Sequence, residues 1–86
     1  MLKWSMVQFF YTYVLKSLED GKFYIGYTKN LKARFDKHLK GEAKATRNRR
    51  PLVLVYFEAC LSKKKALERE KYFKTGFGRR FLKMRI

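Results

Sequence analysis

Acidic side chains are scarce in this chain. Seven Asp and Glu stand against 22 Lys and Arg, a formal charge of +15 over 86 residues, and the pI is near 10.3. Solubility alone asks for a net charge of about 2 to 8 on a small domain, so the excess points to a polyanionic partner. Nucleic acid is the first such partner and an anionic membrane surface the second. Cysteine is nearly absent as well. Cys60 is alone, which excludes an internal disulfide and, with no CxxC or Cys/His cluster, a structural zinc site. A reducing cytoplasm fits that usage, and Cys60, after an apolar run, reads as a small core residue. No long hydrophobic run is present. The stretch from Met1 to Phe10 is apolar but short and broken by Lys3 and Gln8, so it reads as neither membrane span nor signal peptide. Met6 is an alternative start, and residues 1–6 are expected to form a loose leader. Repeats, low-complexity tracts and linkers are missing, so residues 1–86 are expected to form one domain. A domain this small buries roughly two-thirds of its unfolded surface, and 17% Phe, Trp and Tyr suits an economical core.

Val7 to Leu18 is rich in aromatic and β-branched residues and predicts a strand. Asp20-Gly21 is a hairpin signal, and Lys22 to Thr28 returns as the second strand. Asn30 is a helix N-cap and Gly41 a stop. Between them Leu31, Phe35 and Leu39 recur every four residues, the stripe of an amphipathic helix. Residues 42–51 are polar and basic, a loop ending at Pro51. Leu52 to Ala59 is a continuous apolar run with a late Glu58, and it reads as a buried central strand. Ser62 caps a helix to about Lys74, Gly76 and Gly78 punctuate it, and a short basic helix from about Arg79 to Arg85 packs through Phe81 and Leu82. The fold class is α+β: a three-stranded antiparallel sheet flanked by helices, in the order β-β-α-β-α-α.

The candidate chemistry lies on three of these elements. A two-residue turn at Asp20-Gly21 would pair positions whose numbers sum to 41, with Tyr13 and Tyr24 on one face but about two rungs apart. A longer loop brings them closer, and the shared face survives any register shift of two. Gly26 inside a strand signals either a close approach to the backbone or a bulge. Arg34 and His38 lie one helical turn apart beside the Leu31-Phe35-Leu39 stripe, placed to line a cleft. Taken alone, each is more simply a snorkelling or structural residue. On the second helix Glu70 falls on the apolar face with Ala66, Leu67 and Phe73, while Glu68 faces away as a surface charge. A carboxylate aimed at a core needs a cation. With 22 cations in the chain, an ion pair is the first reading of Glu70 and a metal the second. The basic residues gather in a loop (Lys44, Arg47, Arg49, Arg50) and in the tail after Glu70 (Lys71, Lys74, Arg79, Arg80, then Lys83 and Arg85). Surfaces that contact phosphates look like this. Phe77 and Phe81 among them read as core.

Tyr11-Thr12-Tyr13, then Tyr24-Ile25-Gly26 eleven residues after Tyr13, then Arg34 eight residues after Gly26, His38 and Glu70, resemble the GIY-YIG nuclease family. The stretch 66–76, Ala-Leu-Glu-Arg-Glu-Lys-Tyr-Phe-Lys-Thr-Gly, looks like its small stand-alone members, and the whole is similar to the N-terminal nuclease domain of the bacterial excision-repair nuclease. The likeness spans roughly residues 9–84. It implies a single divalent metal, Mg²⁺ or Mn²⁺, held by Glu70, which raises the metal reading above the ion pair. It implies Tyr24 as general base, Tyr13 as an orienting group that has also been given the base role, Arg34 as the neutraliser of phosphate charge, and His38 as a proton carrier or phosphate holder. A phenol of ordinary pKa near 10 is a poor base, and a site with a metal, Arg34 and many lysines should favour phenolate. Two departures stand out: the family's first Gly-Ile is Tyr11-Thr12 here, and Tyr27 follows the second motif where some repair nucleases place lysine.

The expected function is therefore metal-dependent hydrolysis of DNA phosphodiester bonds, structure-specific and serving repair or recombination, with a protein partner as the source of target specificity. The alternative is a non-catalytic basic DNA- or RNA-binding module on the same fold. An RNA-binding or ribosome-associated protein ranks third. Membrane association ranks last, because it would need the apolar segment 6–15 exposed.

Overall fold

The structure is a computed structural model that describes residues 7–86. The expected leader at 1–6 lies outside the described residues. The elements are β1 (Phe10–Ser17), β2 (Phe23–Thr28), α1 (Leu31–Leu39), a 3₁₀ turn (Arg47–Arg49), β3 (Leu52–Cys60), α2 (Lys63–Phe73) and α3 (Gly76–Arg85). The α+β class, the antiparallel pairing and the β-β-α-β-α-α order are those the sequence predicts.

The strand order is β2-β1-β3, so the central strand is β1 and not β3. The continuous apolar run of β3 has another cause. One face of this edge strand meets α1 and the other α2, so both faces carry apolar residues, while Val53 and Phe57 remain 40% and 49% exposed. Between Val14 and Leu15 the ladder shifts by one residue, so that Val55 bulges out between Leu54 and Tyr56. That slip keeps apolar side chains on the correct side at both ends of the strand.

The β1–β2 hairpin is closed by the longer loop 18–21. Ser17 N–H donates to the Lys22 carbonyl at 3.0 Å, and Lys16 pairs with Phe23. Gly21 has φ 71°, and the Asp20 carboxylate accepts from Lys22 N–H at 2.9 Å, an Asx turn. The Ser17 hydroxyl caps the inside of the loop, accepting from Glu19 and Asp20 N–H at 3.1 and 3.2 Å. Paired positions therefore sum to 39, Tyr13 with Gly26 and Leu15 with Tyr24, so of the two turns the sequence leaves open the longer loop is the one found.

Two apolar layers form. On one face Tyr13, Leu15 and Leu52 pack with Tyr24, Leu54 and the α1 residues Leu31 and Phe35. On the other Val14, Ile25, Phe73 and Leu82 pack with Phe23, Val55, Tyr56 and Phe81. The helix starts are capped as the sequence requires: Asn30 accepts from Ala33 N–H and Ser62 from Lys65 N–H. The stripe on α1 is corrected at its end. Leu39 is 45% exposed, and His38 is the residue wholly buried there.

The C-terminal helix also departs from expectation. Thr75 caps α3, accepting from Gly78 N–H at 3.1 Å, so the helix begins at Gly76, ahead of Arg79. Gly78 is not punctuation. A Cβ there would overlap the backbone of Tyr72 and Phe73, so the glycine lets α3 close against the end of α2. Phe77 is 72% exposed, with the Arg80 guanidinium over its ring, while Phe81 and Leu82 do pack inward. Glu58 on β3 forms the shortest ion pair among the described residues. It receives Arg69 Nε and Nη2 at 2.8 and 3.0 Å and the Tyr56 hydroxyl at 2.7 Å. The Arg69 guanidinium lies 4.6 Å and 4.8 Å from the rings of Phe73 and Phe81.

Candidate active site

The site is built on the β1–β2 pair. Tyr13 stands opposite Gly26, and a Cβ on Gly26 would overlap Cζ and Oη of Tyr13. The β1–β2 ladder runs unbroken through this position. Of the two readings of Gly26, close approach is the one found, and the group that approaches is the Tyr13 ring. Tyr24, one rung away on the same face, has its ring 6.4 Å from that of Tyr13. His38 comes from α1 and completes a three-ring cluster, 5.7 Å from Tyr13 and 5.3 Å from Tyr24.

A hydrogen-bonded chain runs through the cluster. Arg34 Nε donates to Tyr13 Oη at 3.5 Å. Tyr13 Oη lies 2.9 Å from His38 Nε2, and His38 Nδ1 lies 2.6 Å from Thr46 Oγ1. Tyr13, His38 and Thr46 are all buried, whereas Tyr24 and Arg34 are partly open. Beside Arg34 a cavity of about 210 Å³ opens, lined also by Thr28, Lys29, Asn30, Ala33 and Lys37.

Burial decides the protonation of the inner groups. It pushes the phenol of Tyr13 above its ordinary range. The Arg34 hydrogen bond opposes that rise, and the neighbouring Tyr24 and Glu70 add to it. The cation Arg34 by itself does not offset burial at Tyr13. Burial, and then the charge of Arg34, depress His38, which is neutral at neutral pH. Arg34 is held firmly charged, first by its hydrogen bond to Tyr13.

Glu70 projects from α2 with its side chain 21% exposed, and its one ion-pair partner among the described residues is Lys74, 3.4 Å away and 54% exposed. Its charge reaches Tyr13. The buried ion pair expected of a carboxylate on this helix is therefore not made by Glu70. Glu68 is exposed, as expected. Among the described residues no three His, Cys, Asp or Glu gather as a metal cage. Glu70 alone could hold an ion, with water and substrate oxygens as its other ligands, and that donor set suits Mg²⁺.

The basic loop divides in two. Arg49 pairs with Asp20 at 3.1 Å, and Arg50 donates to the Arg47 and Leu39 carbonyls at 3.0 and 3.4 Å, so both hold the loop. Lys44 and Arg47 are exposed, as are Lys71, Lys74, Arg79 and Arg80. Thr46 is the site residue that sequence reasoning missed. A threonine in a polar loop carries no periodic signal, and only its burial against His38 marks it. Among the described residues no helix is long and apolar enough to cross a membrane.

Known proteins resemble this chain in sequence and fold. The chain is 45% identical over 75 residues to UPF0213 protein SH2523 of Staphylococcus haemolyticus, covering 86% of this chain and 90% of that one. It is 46% identical over 66 residues to a UPF0213 protein of Staphylococcus aureus, covering 76% and 79%. The solution NMR structure of the UPF0213 protein BH0048 from Bacillus halodurans superposes with a TM-score of 0.54 at 36% identity, over 86% of this chain and 81% of that one. The sequence profile of the GIY-YIG catalytic domain matches residues 9–83. The chain belongs to the GIY-YIG family, whose catalytic domain is of the nuclease type.

Proposed function

We propose that the protein is a divalent-metal-dependent endonuclease that hydrolyses DNA phosphodiester bonds, acting on branched or damaged DNA in repair or recombination. The observation that carries this reading is the convergence of Tyr13, Tyr24, Arg34 and His38, from three elements, on one hydrogen-bonded cluster beside a cationic cavity. Hydrolysis needs a water oxygen to attack phosphorus, its proton to leave, and the departing oxygen to be stabilised as the P–O bond breaks. Tyr24 is the phenol with access to a bound strand, because Tyr13 is buried, so we assign the water's proton to Tyr24. Arg34, with Lys29 and Lys37 around the same cavity, neutralises the phosphate. Tyr13 and His38 act from behind and hold that geometry. Glu70 is the residue that would hold the ion. When bound, a divalent cation supplies positive charge at the phosphate and the leaving oxygen.

Purified protein incubated with linear, nicked, flapped and four-way DNA, in Mg²⁺, Mn²⁺ or EDTA, tests the proposal. Metal-dependent cleavage should survive Glu68→Ala and vanish in Glu70→Ala. Equal cleavage by wild type and Glu70→Ala would sink the mechanism. Binding without cleavage on every substrate would favour the non-catalytic module, and tighter binding to RNA of equal length would favour the RNA reading. Cleavage that begins only when a cell extract is added would point to a protein partner that supplies the target.

A further inference from the structure

The sheet face that carries Tyr13 and Tyr24 continues into an apolar groove. Tyr11 lies two residues before Tyr13 and so on the same face, and Phe57 is the β3 partner of Tyr13. Their rings stand 6.1 Å apart, tilted by 58°, and form a corner of a groove of about 530 Å³. Phe35 and Leu54, from the layer around Tyr13, also line it. So do Lys29 and Lys32, and no carboxylate does. Phe57 is 49% exposed. The two rings stand outside both apolar layers of the core, so core packing does not account for them.

An occupant has to suit both the rings and the lysines. Two cations without an acid favour a flat group attached to an anion over an apolar peptide, and a chain of charge +15 repels its own copies. The groove is continuous with the cavity beside Arg34, because Lys29 and Asn30 line both. A strand with one phosphate at Arg34 therefore carries an adjoining nucleotide past Lys29 to the rings. Every nucleobase has a π-face that stacks on an aromatic side chain, while neighbouring cations follow the backbone. We infer that the groove of Tyr11 and Phe57 is a nucleobase subsite, which takes an unstacked base next to the phosphate held at Arg34.

The inference rests on the nuclease reading above and sharpens its substrate. A base in a duplex must leave its stack to reach the rings, and that costs least at an unpaired or damaged nucleotide. The groove thus senses distortion beside the reacting phosphate through the base, whereas Lys29 and Arg34 act on phosphate, which carries no such information. One of the two departures from the family's first motif also gains a use. With glycine in place of Tyr11 the groove would lose a wall.

Fluorescence anisotropy in EDTA, which withholds the metal needed for cleavage, compares a short oligothymidine with an abasic strand of equal length. Wild type should bind the thymidine strand about five-fold tighter or more. Phe57→Leu and Tyr11→Leu keep apolar bulk but remove a ring. Each should lose about five-fold on oligothymidine, while abasic binding and its salt dependence stay as in wild type. Tyr11→Phe should keep the preference. Urea midpoints confirm that each variant folds, and Phe57, being half exposed, is the position least able to disturb the core. Equal or absent binding of the two strands by wild type, a preference that survives both leucine variants, or an equal loss on both strands overturns the inference. So does a sedimenting dimer that Phe57→Leu dissociates, which would give the groove to a second copy of the chain. If the protein cleaves nothing under any condition, the nuclease reading fails while these affinities still decide the subsite. Cleavage without a base preference sinks the subsite alone.

Discussion

Alanine at position 26 should disable the site without removing any polar side chain. Its Cβ would fall on Cζ and Oη of Tyr13. Tyr13 is 1% exposed and hemmed in by Tyr24 and His38, so its ring cannot swing clear cheaply. Overpacking of this kind costs about 1–3 kcal/mol. Displacing Oη also breaks its bond to His38 and leaves a buried partner unsatisfied, about 1–3 kcal/mol more. The opposing term is the relief of a strand glycine, about 0.5–1 kcal/mol. The net loss is about 1–5 kcal/mol, centred near about 3, against a total of about 4–13 kcal/mol for a chain of this length. The variant should therefore fold, with its thermal midpoint lowered by about 4–8 °C per kcal/mol. Urea unfolding of Gly26→Ala, Tyr13→Leu and the double variant isolates the contact. With Leu at position 13 the overlapped atoms are gone, and Gly26→Ala should become neutral or slightly stabilising. A coupling of about 2 kcal/mol or more is expected. If the alanine costs the same in both backgrounds, the ring is not the reason for the glycine.

The remaining predictions concern helix contact and titration. Gly78→Ala should cost more than about 3 kcal/mol, because its Cβ meets the backbone of Tyr72 and Phe73, which cannot turn aside. Gly76→Ala has open space around it and should be neutral or stabilising by about 0.5–1 kcal/mol, so equal urea midpoints for the two variants would refute the close approach of α2 and α3. His38 is depressed below its ordinary value by burial and by Arg34, so unfolding takes up a proton in mildly acid solution. Its contribution is complete above about pH 6.5 and falls as pH drops below that. The urea midpoint should drop between pH 7.5 and 5.5 in wild type and change less in His38→Gln, and equal slopes would contradict this. Burial alone would raise Glu58, but the hydrogen bonds from Arg69 and Tyr56 win and its carboxyl is lowered. That stability is present above about pH 4.3 and lost as pH falls through the folded value. Glu58→Gln should flatten this acid limb, and an unchanged limb would show that the pair contributes nothing.

The sequence carries the faces of the sheet better than its order. Tyr13 and Tyr24 share a face in any register shifted by two, so the tyrosine cluster is legible from residue alternation alone. Its closeness is not, because it depends on loop length, and Asp20-Gly21 suits a two-residue turn as well as the longer loop 18–21. Strand order is misread because an edge strand touched by helices on both faces has the composition of a central one. Phe77 is misplaced because a ring on a basic helix can lie under an arginine in the open, and hydrophobicity does not distinguish that from a core position. Glu70 stands out because a carboxylate breaks an apolar stripe. Thr46 breaks nothing in the pattern, and its role is visible only where the loop folds back on His38.

The hairpin loop and Gly26 form a single device. With positions summing to 41, Tyr13 would face Thr28 and Gly26 would face Leu15, so the ring would meet a side chain and the glycine would have nothing to admit. With the sum of 39 the ring lies on the glycine. The loop that sets this sum is held from inside by Ser17. It is held from outside by the basic segment, since Asp20 pairs with Arg49 and the Ser17 hydroxyl donates to the Arg49 carbonyl at 2.6 Å. The same segment carries Thr46 to His38. Arg49 thus works from within the fold: it ties the register that seats Tyr13 to the loop that sets the histidine behind it. A charge at this position has a structural task in the fold, and the basic loop cannot be read as a uniform electrostatic surface.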